Sequence, residues 1–133
     1  MSTRLQLTDI RLAWPTVKPH VEELHNRYEM DWRPEDVYAL CLSGHSFCWM
    51  CSDGFVIVNP RENPFTLQKE LFVWICVHWG NNDLYEEWIS DISEVAKQVS
   101  ASTLIFESPR EGWGRIAKKH GWRSMHNYQV PVL

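Results

Sequence analysis

Three groups of side chains in this 133-residue chain are of types that could do chemistry. Cys48 and Cys51 form a C-x-x-C pair, with Cys41 and His45 just upstream. His78 stands near the end of the apolar run LFVWICVHW, Leu71 to Trp79, and Ser108 and Arg110 lie two apart in SPREGW. Cysteine and histidine at such spacing are the ligands of structural zinc, which takes four of them, usually as two pairs on turns. The pair here lies in SFCWMC, an aromatic, apolar run that reads as a strand, and strand residues three apart face opposite sides. The two sulfurs therefore do not meet one ion; buried free thiols and no metal are expected. Cys76, alone in another apolar run, reads as core.

His78 has two readings: a general base facing a cleft at the end of its strand, or a buried, hydrogen-bonded histidine. The second is preferred. Ser108 is accounted for by a capping box with Glu111 and need not be a nucleophile. Arg110 is a candidate for a carboxylate or phosphate, or a solvated surface arginine. No Ser-His-Asp or Cys-His arrangement is specified, because nothing places Cys41 or Cys48 beside a histidine.

The elements that would position these groups follow from periodicity and caps. Arg4 to Leu7 alternates as a short strand does. Ile10, Trp14, Val17, Val21 and Leu24 recur at spacings of four and three, one face of a helix, while Pro15 and Pro19 predict a kink or two short pieces. In RPEDVYALCLSG, Pro34 opens a helix, Glu35 and Asp36 suit its positive end, and Gly44 closes it. SFCWM and FVIVN read as strands around the turn SDG, followed by the polar loop NPRENPFTLQ. LFVWICVHW reads as a central strand buried on both faces. Asp83 and Glu86 start a helix whose face is Leu84, Trp88, Ile92, Val95, Ala96 and Val99, and TLIFE is a further buried strand. Ser108 opens a last helix with Trp113, Ile116, Ala117 and His120 on one side, capped by Gly121. Gly112 and Gly114 near its start imply close packing, within the chain or against another. The tail RSMHNYQVPVL reads as extended, with Pro131 suited to an edge.

Composition sets the outer limits. The length and the 44% hydrophobic content suit one domain over residues 1–133 with its own core. A formal net charge of -4 argues against nonspecific nucleic-acid or acidic-membrane binding. No apolar run has membrane-spanning length and the start MSTRLQLTD is not a signal peptide, so a cytoplasmic location is expected. Eight tryptophans exceed what the core of a small domain hides, which makes Trp32, Trp79 and Trp113 candidate interface residues for a protein partner or a homo-oligomer.

The order strand, helices, hairpin, central strand, helix, strand, helix, strand resembles the GNAT family of N-acetyltransferases over nearly the whole chain. LQLTDI looks like that family's opening strand entering its first helix, and RIAKKHGWRS like its helix ending in glycine-aromatic. SPREGW with the later GW is similar to small GNAT-like proteins of tailed bacteriophages, some of which accompany virion assembly genes. The resemblance implies an α/β fold of the α+β kind: a mixed, splayed central sheet with helices on both faces. It also implies acetyl-CoA held at the central strand and the next helix, its pyrophosphate on backbone amides of a glycine-rich loop. If this chain holds that cofactor, Gly80, Asn81, Asn82 and Arg110 are the candidate contacts and His78 the candidate base.

The chain departs from that pattern twice. The stretch HWGNNDLYEEW, His78 to Trp88, has Gly80 as its one glycine, and no Arg or Lys occurs between Lys69 and Lys97. Asp83, Glu86 and Glu87 instead crowd the helix start, where they would cap the amides and repel a pyrophosphate. Counting back from GW, the family's general-acid tyrosine falls on Ala117, which has no proton to give. The expectation is a binding or assembly component without cofactor, plausibly in a phage particle (host cytoplasm or virion). The alternative is an acetyltransferase with an atypical loop.

Overall fold

In the computed structural model, which describes residues 4–80, 85–107, 113–124 and 130–132, hydrophobic spacing has become a mixed sheet between helices. The described elements run β1 Gln6–Thr8, α1 Ile10–Tyr28, α2 Pro34–Leu42, β2 Phe47–Cys51, β3 Gly54–Glu62, β4 Lys69–His78, α3 Tyr85–Gln98, β5 Thr103–Phe106 and α4 Trp113–His120. Among them the strand order is β1-β2-β3-β4-β5, antiparallel except between β4 and β5, which are parallel across the α3 crossover. β3, not β4, is therefore the middle strand of those described. β4 marks instead the change from antiparallel to parallel pairing.

That change carries the splay. β4 and β5 pair from Glu70↔Thr103 to Val73↔Phe106, and Trp74–His78 then runs on with only β3 beside it among the described residues. The register between β3 and β4 shifts after Val58↔Val73, the next pair being Ile57↔Ile75. Trp74 is thus an extra residue, a β-bulge. Leu71 and Val73 pack with Trp88, Ile92 and Val95 of α3, while Ile75 and Val77, beyond the bulge, pack with Val17 and Val21 of α1 and Val37 of α2. The sheet is covered on both faces, α1 and α2 on one and α3 on the other.

Local signals account for most of the helices. Asp9 caps α1 by accepting from the Arg11 N–H at 2.9 Å. The Asp36 carboxylate accepts from the Arg33 N–H at 2.8 Å at the start of α2, and Gly44, at φ 84, follows its end in the left-handed region. α1 corrects an expectation: it continues unbroken through Pro15 and Pro19. Both prolines lie on the exposed side, so the carbonyls of Arg11 and Pro15 that lose an N–H partner face water. Burial of Ile10, Ala13, Val17 and Val21 on the other side offsets that cost. β3 likewise runs further than expected, through Pro60 to Glu62, because its partner β4 continues to Lys69. The capping box at Ser108 falls on residues 108–112, outside those described. Of the expected extended tail, residues 123–124 and 130–132, Pro131 among them, belong to no strand, and residues 125–129 lie outside those described.

Candidate functional site

The C-terminal end of β4 is where the resemblance places chemistry, and the chain folds there through a tight turn from a distant hairpin. Ser52 and Asp53 join β2 to β3, with Cys51↔Gly54 as the closing pair. Gly54 has to be glycine: a Cβ there would lie 2.6 Å from the Val77 carbonyl oxygen and 2.8 Å from the Trp88 ring. The turn is fastened to the end of β4 by the Trp79 N–H donating to the Asp53 carbonyl at 2.9 Å and the Trp79 indole N–H to the Ser52 carbonyl at 3.2 Å.

Asp53 then becomes the hub of a part-buried polar group. His78 Nε2 lies 3.2 Å from Asp53 Oδ2, and the Cys51 thiol donates to Oδ1 at 2.9 Å. Arg4 bridges carboxylates from two parts of the chain: Nη1 to Asp53 at 3.4 Å and Nε to Asp91 of α3 at 2.8 Å. The Arg4 backbone N–H adds a bond to Asp91 Oδ1 at 3.2 Å. The Cys51 thiol, His78 and Arg4 together hold the Asp53 carboxyl below its ordinary range, the Cys51 bond contributing most. Asp91 raises the pKa of Arg4, above all by its side-chain hydrogen bond.

His78 is 7% exposed and its ring stacks on Trp88, centroids 5.0 Å apart. The His78 ring is thus mostly buried and hydrogen-bonded to Asp53. Gly80 packs against the same pair. A Cβ there would meet Asp53 Oδ2 at 2.8 Å and His78 Nε2 at 3.0 Å, so the missing side chain accommodates the Asp53–His78 pair. Asn81, Asn82 and Arg110 lie outside the described residues.

The helix start beyond differs from the sequence picture in one respect. Glu86 is acidic as expected, but Lys119 Nζ lies 2.7 Å and His120 Nε2 3.2 Å from its carboxylate. α4 therefore brings the Lys119 cation, with the His120 ring beside it, back to the first turn of α3, and Lys119 above all holds the Glu86 carboxyl below its ordinary range. Glu87 is exposed, and Ala117 is half-buried on α4.

The remaining candidates are placed as follows. Cys48 packs among α1 and α2 while Cys51 packs toward the α3 face, so the C-x-x-C pair does straddle the strand. Burial pushes the Cys48 thiol up to about 12 and Cys41 up to about 11, which leaves neither a nucleophile near neutrality. Among the described residues no three His, Cys, Asp or Glu side chains are grouped to hold a metal ion, and no helix is long and apolar enough to cross a membrane. Trp32 packs edge-on against Trp74 at 5.7 Å. Trp79, 41% exposed, stacks on His20 at 4.9 Å. The Trp113 side chain and Gly112 lie outside the described residues. A Cβ at Gly114 would meet nothing within 4 Å among the described residues, so Gly114 does not serve close packing within them.

Sequence reasoning missed Arg4, Asp53 and Asp91. Asp91 did leave a signal: it lies three residues after Trp88 and four before Val95, a charge on the buried stripe of α3.

No family model matches the chain, and no curated protein matches it in sequence. Solved structures do match. The crystal structure of a "probable acetyltransferase" superposes with a TM-score of 0.72 at 13% identity, covering 98% of this chain and 99% of the other. The chain has the GNAT fold. Ribosomal-protein-alanine N-acetyltransferase from Brucella melitensis biovar Abortus 2308 superposes with a TM-score of 0.68 at 15% identity, over 97% of this chain and 98% of its own. An aminoglycoside acetyltransferase from an uncultured soil metagenomic sample gives 0.64 at 12% identity over 100% of both chains. At such identities the GNAT likeness is one of fold.

Proposed function

We propose that this GNAT-fold chain has a degenerate acetyl-CoA site and acts as a binding or assembly component rather than a transferase. The observation that carries the reading is the closure of the β4 end. The one candidate base, His78, is engaged by Asp53 and covered by Trp88, and the Gly80 backbone lies against the same carboxylate. A pyrophosphate needs free amides and positive charge. The Trp79 N–H is already used within the chain, and Asp53, Glu86 and Glu87 bring negative charge. A protein partner or a second copy belongs to this reading. Particle assembly in a tailed bacteriophage is its proposed setting, supported by the SPREGW and GW resemblance alone. Calorimetry with acetyl-CoA tests the cofactor part: binding weaker than about 1 mM is expected, and micromolar affinity overturns it.

A second reading, N-acetyl transfer from acetyl-CoA to an amine, has two observations in its favour. A carboxylate beside an imidazole is how a general base is oriented, and Lys119 and His120 offset Glu86 at the helix start. Under that reading His78→Ala abolishes acetylation of an amine panel while acetyl-CoA binding survives. Under the first, neither variant nor parent acetylates anything.

A further inference from the structure

The hairpin joining β3 to β4 overhangs the sheet on its β2 side. β2 accompanies β3 only as far as Phe47↔Val58, whereas β3 continues to Glu62 opposite Lys69. The connecting loop is tightly bonded. The Asn63 N–H donates to the Gln68 carbonyl at 2.9 Å and the Leu67 N–H to the Asn63 carbonyl at 2.8 Å. Asn63 Oδ1 accepts from the N–H groups of Phe65 at 2.9 Å and Thr66 at 3.1 Å. This bonding presents apolar side chains to solvent: Phe65 is 93% and Leu67 69% exposed. Leu67 has φ 61, a strained conformation for leucine that glycine or asparagine adopts more readily.

At the root of the same hairpin, on the α3 face, lies a hollow of about 510 Å³. Its walls are apolar, formed among others by Leu7, Phe47, Trp49, Val58, Leu71 and Ala101, and no residue of α3 itself lines it. Arg61, Glu62, Lys69 and Glu70 also line it, two cations and two carboxylates.

We propose that the protein forms a two-fold dimer in which the Phe65 tip of each hairpin docks in the hollow of the other copy. A projecting apolar tip and an apolar hollow on one chain satisfy each other twice under a two-fold axis, with no third surface left open. The mixed charges around the hollow suit this occupant, since a patch with equal positive and negative groups can face its own copy without net repulsion. Pro60 lies on the stretch of β3 that has outrun β2 and has no N–H to offer, so association runs through side chains rather than by strand addition. An ordered tip forfeits little entropy on docking. The dimer does not depend on whether the chain transfers acetyl groups, and its test reads mass rather than cofactor binding.

Sedimentation equilibrium from low micromolar to near-millimolar concentration reads it directly. The parent is expected to dimerise. Phe65→Asp at the tip and Leu7→Lys in the hollow, where Leu7 is 59% exposed, should each weaken the dimer by about tenfold or more. Both positions are exposed, so circular dichroism and melting should match the parent. Mixing the two variants restores one of the two contacts and should give a heterodimer tighter than either homodimer. A parent that stays monomeric throughout overturns the proposal, as does a dimer indifferent to Phe65→Asp or a mixture no tighter than its components.

Discussion

The two ends of the β3–β4 hairpin contrast in how they handle surface. At the C-terminal end of β4, Asp53, His78, Arg4, Cys51 and Asp91 satisfy one another, and Trp88 covers the His78 ring. At the other end Phe65 and Leu67 stand in solvent on a loop whose N–H groups are hydrogen-bonded within it, beside an apolar hollow. Polar groups that close on themselves leave nothing for a ligand to gain. Apolar groups held out on a rigid support gain by being covered. The end where the fold suggests chemistry is thus the tied one, and the end available for binding lies at the opposite edge of the sheet.

Trp88→Ala should strike the tied end hardest. Trp88 is 1% exposed and covers both His78 and the core, so a loss of about 3–5 kcal/mol by urea denaturation is expected. Asp53→Ala leaves Arg4, His78 and Cys51 without their shared acceptor, and about 2–3 kcal/mol should go. Acid provides a gentler probe. The folded-state pKa of Asp53 is depressed, so its contribution is fully present above the unfolded carboxylate value of about 3.9 and is lost as pH falls through the folded one. Asp53→Asn should flatten that acid limb, and an unchanged limb would remove Asp53 from the account. The smallest effect belongs to the open end: Phe65→Ala should leave chain stability within about 0.5 kcal/mol while loosening the dimer. A large loss of stability there would mean the tip is core, and the contrast between the ends would fail.

Legibility in the sequence followed distance along the chain. α2 could be read from Pro34, Asp36 and Gly44 because its start and stop are made by residues within it or next to it. The β2–β3 turn and the opposed cysteines were equally local. α1 was misread because two prolines speak for a break, and only the sheet beneath supplies the burial that overrides them. The polar cluster was illegible for the same reason in stronger form, since Arg4 and Asp91 are 87 residues apart and meet only once the sheet has formed. His78 could be narrowed to two readings, but its surroundings, Asp53 and Trp88, were hidden because neither is its neighbour in sequence.

The extra residue at Trp74 acts on β4 as a parity bit. Every side chain from Ile75 to His78 owes its face to that one insertion, because strand residues alternate and the pairing with β3 slips by one there. Changing the identity of Trp74 alters contacts near Trp32. Drawing it into regular pairing opposite Ile57 would do something of another order: Cys76 and His78 would turn toward α1 and α2, and Ile75 and Val77 toward Trp88. The bulge is therefore one spare residue: this segment can lose Trp74 and keep every face, whereas an added residue, with no second bulge to take it up, should be lethal to the fold where substitutions are merely costly.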